Sequence, residues 1–131
     1  MRTLLLSTLL SLIAATLSAQ VRRWNVEISF KQAAITGLCI IDTVEQQPRG
    51  TIVNEFGLKM TDFVCSPTGK LKLHNLMPML NKWYIRRTLR HDLQQIVKLL
   101  ATRDELTYEN QKRHITYRFK PLATTEDDTQ R

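Results

Sequence analysis

The feature that most constrains this chain is a change of hydrophobic period partway along it. From Trp24 the apolar residues Trp24, Val26, Ile28 and Phe30 alternate with Arg23, Asn25, Glu27 and Ser29, the period of two that marks a strand with one buried face. Between Leu76 and Thr102 the period becomes helical. There Ile85, Leu89, Leu93, Ile96, Val97 and Leu100 fall within about 120° of one another on a wheel advancing ~100° per residue. Strand character returns with Leu106 and Tyr108, then Ile115, Tyr117 and Phe119, a closing hairpin across Asn110-Gln111-Lys112. The fold class expected is α+β: a strongly curved antiparallel sheet of about seven strands, half-barrel-like, with a helical segment inserted before the last hairpin.

The strands between these landmarks follow from local chemistry. Ile35 to Val44 (ITGLCIIDTV) is β-branched and almost continuously apolar, which predicts a central strand covered on both faces. Glu45 to Arg49 reads as a turn, Gly50 to Phe56 as a third strand, Gly57 as a tight reversal and Leu58 to Cys65 as a fourth strand. In that fourth strand Leu58 and Met60 share one parity and Phe63 and Cys65 the other, so a β-bulge is required near Thr61-Asp62 to turn both pairs inward. Ser66-Pro67-Thr68-Gly69 suits a type I turn before a fifth strand, Lys70 to Leu73. Pro78 falls in the first helical turn after an Asn75 cap. Continuing the wheel backwards puts Lys82 and Arg86 on the apolar stripe, which predicts a break near Trp83 to Ile85.

The first residues, MRTLLLSTLLSLIAATLSAQ, place one Arg before an apolar run and end it in small residues, the pattern of a secretory signal over 1–19. The rival, a membrane anchor, needs ~20 apolar residues, and Ser7, Ser11 and Thr16 interrupt this run. Gln20, not Cys, follows the cleavage point, so no lipid tether is expected. These features predict a periplasmic or secreted protein with no transmembrane segment after signal removal. Residues 20–122 then form a single α+β domain, and the polar stretch 123–131 (ATTEDDTQR) is expected to be disordered. The formal net charge is +7, scattered along the chain, which attracts anionic partners in a salt-dependent way and leaves the fold open.

Cys39 and Cys65 are the only two cysteines of the chain. An oxidising compartment and an even count favour a bridge. A meander of the second, third and fourth strands argues against one. It places Cys39 opposite Glu55 and leaves Cys65 two strand spacings away, ~9.6 Å, and about 23 Å further along. A disulfide needs Cα atoms within ~7 Å, so both thiols are expected to be free and buried.

No reactive constellation stands out. His74, His91 and His114 are far apart, and the neighbours His91 and Asp92 are expected to point in different directions on a helix. No metal-ligand spacing and no glycine-rich phosphate loop is present. A non-enzyme without cofactor is the expectation. Lys82-Trp83-Tyr84-Ile85-Arg86-Arg87 with Arg90 mixes aromatics with cations, as at membrane surfaces and nucleic-acid faces. Its plainer alternative is a helix junction where Trp83 and Tyr84 cap the core and the arginines lie in solvent. Glu55 and Asp62 read as solvent-facing charges beside a turn.

The strands from Trp24 to Leu73 with the helical insertion Leu76 to Ala101 resemble the envelope lipoprotein carriers of the LolA and LolB kind. That architectural resemblance implies a half-open barrel closed by helices around acyl chains. The segments NEFG (54–57), DF (62–63) and KWYIRRTLRHDL (82–93) are also similar to small uncharacterised secreted bacterial proteins. Three functions follow. The first is a binding module with an acyl chain or lipoprotein as partner, lined by Ile40, Met60, Phe63, Met77, Met79 and Trp83, where methionines suit an adaptable apolar site. The second is an envelope structural or adaptor protein contacting an anionic envelope component through Lys82, Arg86, Arg87 and Arg90. A hydrolase is the third. Nucleic acid is not an expected partner.

Overall fold

The computed structural model describes residues 20–122; the proposed leader 1–19 and the tail 123–131 lie outside the described residues. Seven strands form one sheet: β1 Gln20–Phe30, β2 Ala33–Val44, β3 Gln47–Asn54, β4 Lys59–Cys65, β5 Leu71–His74, β6 Leu106–Asn110 and β7 Ile115–Pro121. Their order is β5-β4-β3-β2-β1-β7-β6, and every pairing is antiparallel. The sheet curls into a half-barrel. A 3₁₀ turn, Pro78–Leu80, leads into the helix α1, Trp83–Leu100, which precedes the last hairpin.

The alternation in β1 is the inside of the half-barrel, with Trp24, Val26 and Ile28 buried. Their partners across β2 are Cys39, Gly37 and Ile35, so odd-numbered residues of β2 face inward too. β2 is the central strand, as its composition predicts, but only its concave face is covered by another element. Leu38 and Ile40 lie on the convex face, half-buried among their lateral neighbours.

The turn between β2 and β3 is tighter than expected. Glu45 and Gln46 form it alone, with φ of 52° and 65°, the signature of a type I′ hairpin that usually employs Asn or Gly. The strand therefore resumes at Gln47, Pro48 pairs with Thr43, and Cys39 stands opposite Ile52 instead of Glu55.

Two glycines let the sheet bend. A Cβ on Gly37 would stand 1.9 Å from the Val53 carbonyl oxygen, and one on Gly50 would stand 2.1 Å from the Phe63 ring. At the first, strand backbones close in on one another; at the second, a core aromatic lies flat on the sheet. The register shifts next to Val53, between Ile52 and Val53, where β4 carries one extra residue. Met60 and Thr61 are both buried as a result, so the bulge demanded by the parity conflict exists, one residue earlier than expected.

The helix lies across the opening and comes nearest the two edge strands, β5 and β6. Leu89, Leu93, Ile96, Val97 and Leu100 face the sheet, joined by the carboxylate of Asp92. The break falls at Asn81-Lys82, just before the position the wheel indicates. Asn75 does not cap the helix: it adopts φ 53° and donates its Nδ2 to Asp62 Oδ2 at 2.8 Å.

One end of this assembly is tied shut. Arg22 donates to the helix-terminal carbonyl of Leu100 at 2.7 Å and to that of Arg103 at 3.0 Å, while its guanidinium lies 4.6 Å from the centre of the Trp24 ring. Trp24 Nε1 donates to the Asp104 carbonyl at 2.9 Å. Gln94 accepts the Leu71 N–H at 3.0 Å, satisfying part of the β5 edge. Both cysteines are free and buried.

Candidate functional site

At the other end the helix does not fill the half-barrel. A cleft of about 300 Å³ opens there between the first turns of α1 and the sheet. Ile28 and Phe30 of β1, Ile35 of β2 and Met60 of β4 form its floor. Leu80, Tyr84, Ile85, Thr88 and Leu89 form the helical wall, and Ile115 and Tyr117 of β7 the far side. Among the described residues that line it only Lys31 and Arg113 are charged, and both are exposed at the mouth.

Three wall residues, Tyr84, Thr88 and Arg113, belong also to a wider groove of about 840 Å³ between α1 and the β6–β7 turn. Its walls carry Arg87, Arg90, Lys112 and Arg113 with the aromatic rings of Trp83, Tyr84 and Tyr108. Its acids are Glu109 at the rim and Asp92 beneath the floor, the latter 0% exposed. None of the four cations forms an ion pair with a carboxylate among the described residues. Around Trp83 a further hollow of about 350 Å³ is bordered by Leu73, Arg86, Arg87 and Arg90.

The groove floor is held by a buried polar cluster. Tyr117 donates its hydroxyl to Asp92 Oδ2 at 2.7 Å, and the Asn110 amide donates to both carboxylate oxygens at 3.0 Å. Burial, then the hydrogen bond and charge of Asp92, hold the Tyr117 hydroxyl well above the ordinary tyrosine range. Tyr108 is raised by burial and by the same carboxylate. His91 Nδ1 comes within 3.3 Å of Asp92 Oδ1, so these two neighbours converge where sequence spacing predicts divergence. Burial pushes the Cys39 thiol up to about 12 and raises Cys65 as well, so neither supplies the thiolate a nucleophile needs. No three His, Cys, Asp or Glu side chains gather as a metal site among the described residues.

The residues expected to line a ligand site are scattered by the fold. Met60 is the one of the six that lines the cleft. Ile40 faces away from the helix because its parity is opposite to that of Cys39. Phe63 is fully buried core over Gly50. Met77 is half-buried and donates its N–H to the Met60 carbonyl at 2.8 Å. Met79 is 74% exposed. Trp83, also 74% exposed, caps no core; it stands in the groove, its ring edge-on to Tyr84 at 5.8 Å between centroids. Of the basic residues, Arg87 and Arg90 line the groove, Arg86 borders the hollow beside Trp83, and Lys82 immediately precedes the helix in neither.

The NEFG and DF segments have structural duties. Asn54 Oδ1 accepts the N–H groups of Phe56 and Leu58 at 3.0 and 2.9 Å and shapes the β3–β4 turn. Asp62 is not a free surface charge: Thr51, Lys59 and Asn75 all donate to it. Burial pushes its carboxyl up, but those hydrogen bonds and the Lys59 charge outweigh it and hold it below the ordinary value.

Sequence reasoning missed the cleft because Ile28, Ile35, Ile115 and Tyr117 carry the same pattern as core residues. It missed Lys112 and Arg113 because they belong to a hairpin turn far from the helix in sequence; their excess charge beside Asn110 was the available signal. No helix among the described residues is long and apolar enough to cross a membrane. Comparison with protein-family models, with curated proteins and with solved structures returns no match to this chain.

Proposed function

We propose that this is an exported, non-catalytic binding protein of the bacterial envelope that holds an apolar or acyl ligand between its curved sheet and helix, as the LolA and LolB carriers it resembles do. The observation that carries the proposal is the apolar cleft of about 300 Å³ at the open end, which meets the lower bound of ~300 Å³ for small-molecule sites. Apart from Thr88 and the two cations at its mouth its walls are aliphatic and aromatic, and a closed hydrophobic core would have no such opening.

The test is binding of a neutral naphthylamine probe, with native mass spectrometry of the purified protein for retained acyl ligands. Ile85 lines the cleft and not the groove. Ile85→Trp fills the cleft and is expected to weaken the probe by at least about tenfold, with the circular dichroism spectrum unchanged. A wild-type protein that binds neither probe nor acyl chain ends the proposal. A second reading, an adaptor for an anionic envelope component, is favoured by the exposure of Trp83 beside Arg86, Arg87 and Arg90. It calls for partner binding that weakens steeply with salt and survives Ile85→Trp.

A further inference from the structure

Resting on the proposed acyl site, we infer that its ligand carries a phosphate head, the chain lying in the cleft and the head in the basic groove. The two cavities are not separate features. Tyr84, Thr88 and Arg113 are walls of both, so a chain leaving the cleft past these residues enters the groove directly.

The chemistry of the groove selects the head. Arg87, Arg90, Lys112 and Arg113 surround it without ion-pair partners among the described residues. Guanidinium forks match the geometry of phosphate and carboxylate, and four cations along one groove suit a head with more than a single negative charge. The field of the helix points the same way. The groove flanks the first turns of α1, whose positive dipole end is opposed by no acidic residue in the first turn and is capped by no side chain. Among the described residues Glu109 at the rim is the groove's one exposed acid. The Asp92 carboxylate is turned inward, occupied by Tyr117 and Asn110, and does not offset the surface cations at contact range.

The experiment measures displacement of the neutral naphthylamine probe from the full chain by dodecanol, dodecyl phosphate and inorganic phosphate. Hydration of the charged head by itself makes the phosphate ester the weaker apolar ligand, so any preference for it comes from the groove cations or from Lys31 at the cleft mouth, which charge reversal in the groove tells apart. Dodecyl phosphate is expected to bind at least about tenfold more tightly than dodecanol. The preference shrinks at high salt. It disappears in the double variant Arg87→Glu, Lys112→Glu, whose residues line the groove and not the cleft, while that variant binds the neutral probe as the wild type does. Equal binding of alcohol and phosphate ester, or a preference that survives charge reversal, overturns the inference and leaves the acyl site standing. Inorganic phosphate displacing the probe as strongly as dodecyl phosphate also overturns it, since the head then needs no chain in the cleft. Failure of the probe itself to bind overturns both readings.

Discussion

Replacing Tyr117 by Phe isolates the buried cluster that joins helix to hairpin. The hydroxyl is the shortest of the hydrogen bonds to Asp92, 2.7 Å against 3.0 Å for those from Asn110, and both Asp92 and Tyr117 are at most 1% exposed. A hydrogen bond to a charged group contributes ~1.5–3 kcal/mol, so Tyr117→Phe is expected to cost about 2 kcal/mol of a total of ~5–15 kcal/mol. For a domain of this size that lowers the melting temperature by on the order of 10 °C. Urea unfolding followed by tryptophan fluorescence reads the change, since Trp24 is 1% exposed and reports on the core. A double-mutant cycle with Asp92→Ala gives the coupling directly, expected at ~1–3 kcal/mol.

The same substitution carries a pH signature. The folded-state hydroxyl holds its proton where the unfolded chain, with a tyrosine near ~10, has released it. Stability from this group is therefore complete below about pH 10 and falls as pH rises beyond it. Tyr108 and both cysteines, also raised by burial, add to the alkaline loss in the wild type. Tyr117→Phe removes one proton from that slope, and the gap between the two proteins narrows above about pH 10. A cost below about 0.5 kcal/mol, or stability curves that stay parallel into alkali, would refute the assignment of the cluster as a fully buried, hydrogen-bonded tie.

Gly37→Ala puts a methyl 1.9 Å from the Val53 carbonyl oxygen, a clash with backbone that the strands relieve only by separating; a loss of about 3 kcal/mol or more in urea unfolding is expected, and a neutral outcome would mean the sheet is not pinned there. Native protein treated with iodoacetamide should stay unmodified at Cys39 and Cys65, because both are buried and their thiols are raised, and should take up two labels after unfolding without reductant; no label in the unfolded protein would establish a disulfide.

The parts of the fold legible in the sequence were those where burial on one face leaves a periodic mark. The β1 alternation reads directly as inward and outward residues, and the parity conflict between Met60 and Phe63 demanded a bulge that the register shift supplies. The β2–β3 turn was not legible, because Glu45 and Gln46 adopt positive φ without the Asn or Gly that signals it. That error moved the partner of Cys39 by three residues, from Glu55 to Ile52. It left the cysteine argument intact, since Cys65 still lies four residues along β4 from Thr61, the residue facing Ile52. The site was less legible than the fold. Core and cleft wall are both apolar inward positions, and they differ only in whether the helix reaches them, a property of its tilt and length. Trp83 shows the opposite failure: a large aromatic is usually buried, yet here the helix begins at this residue and turns it toward the groove.

The position of the cleft follows from where the helix is fastened. Its last carbonyl is held by Arg22, its middle by Asp92 through Tyr117 and Asn110, and its flank by Gln94 on the β5 edge. Among the described residues nothing comparable holds the first two turns, where no side chain caps the helix and Arg86 and Arg87 oppose the dipole. Local stability falls where such ties are few, so α1 is least constrained from Trp83 to Thr88. That is the stretch lining the cleft mouth and the groove. A widening of the cleft would therefore strain neither Trp24 and Leu100 at the closed end nor the Asp92 cluster. An anionic head between Arg87 and Arg113 would relieve the repulsion among these cations and draw the helix back against β7. On the proposed reading, entry and retention would draw on the same residues, and the charge that weakens the empty helix end would steady it once occupied.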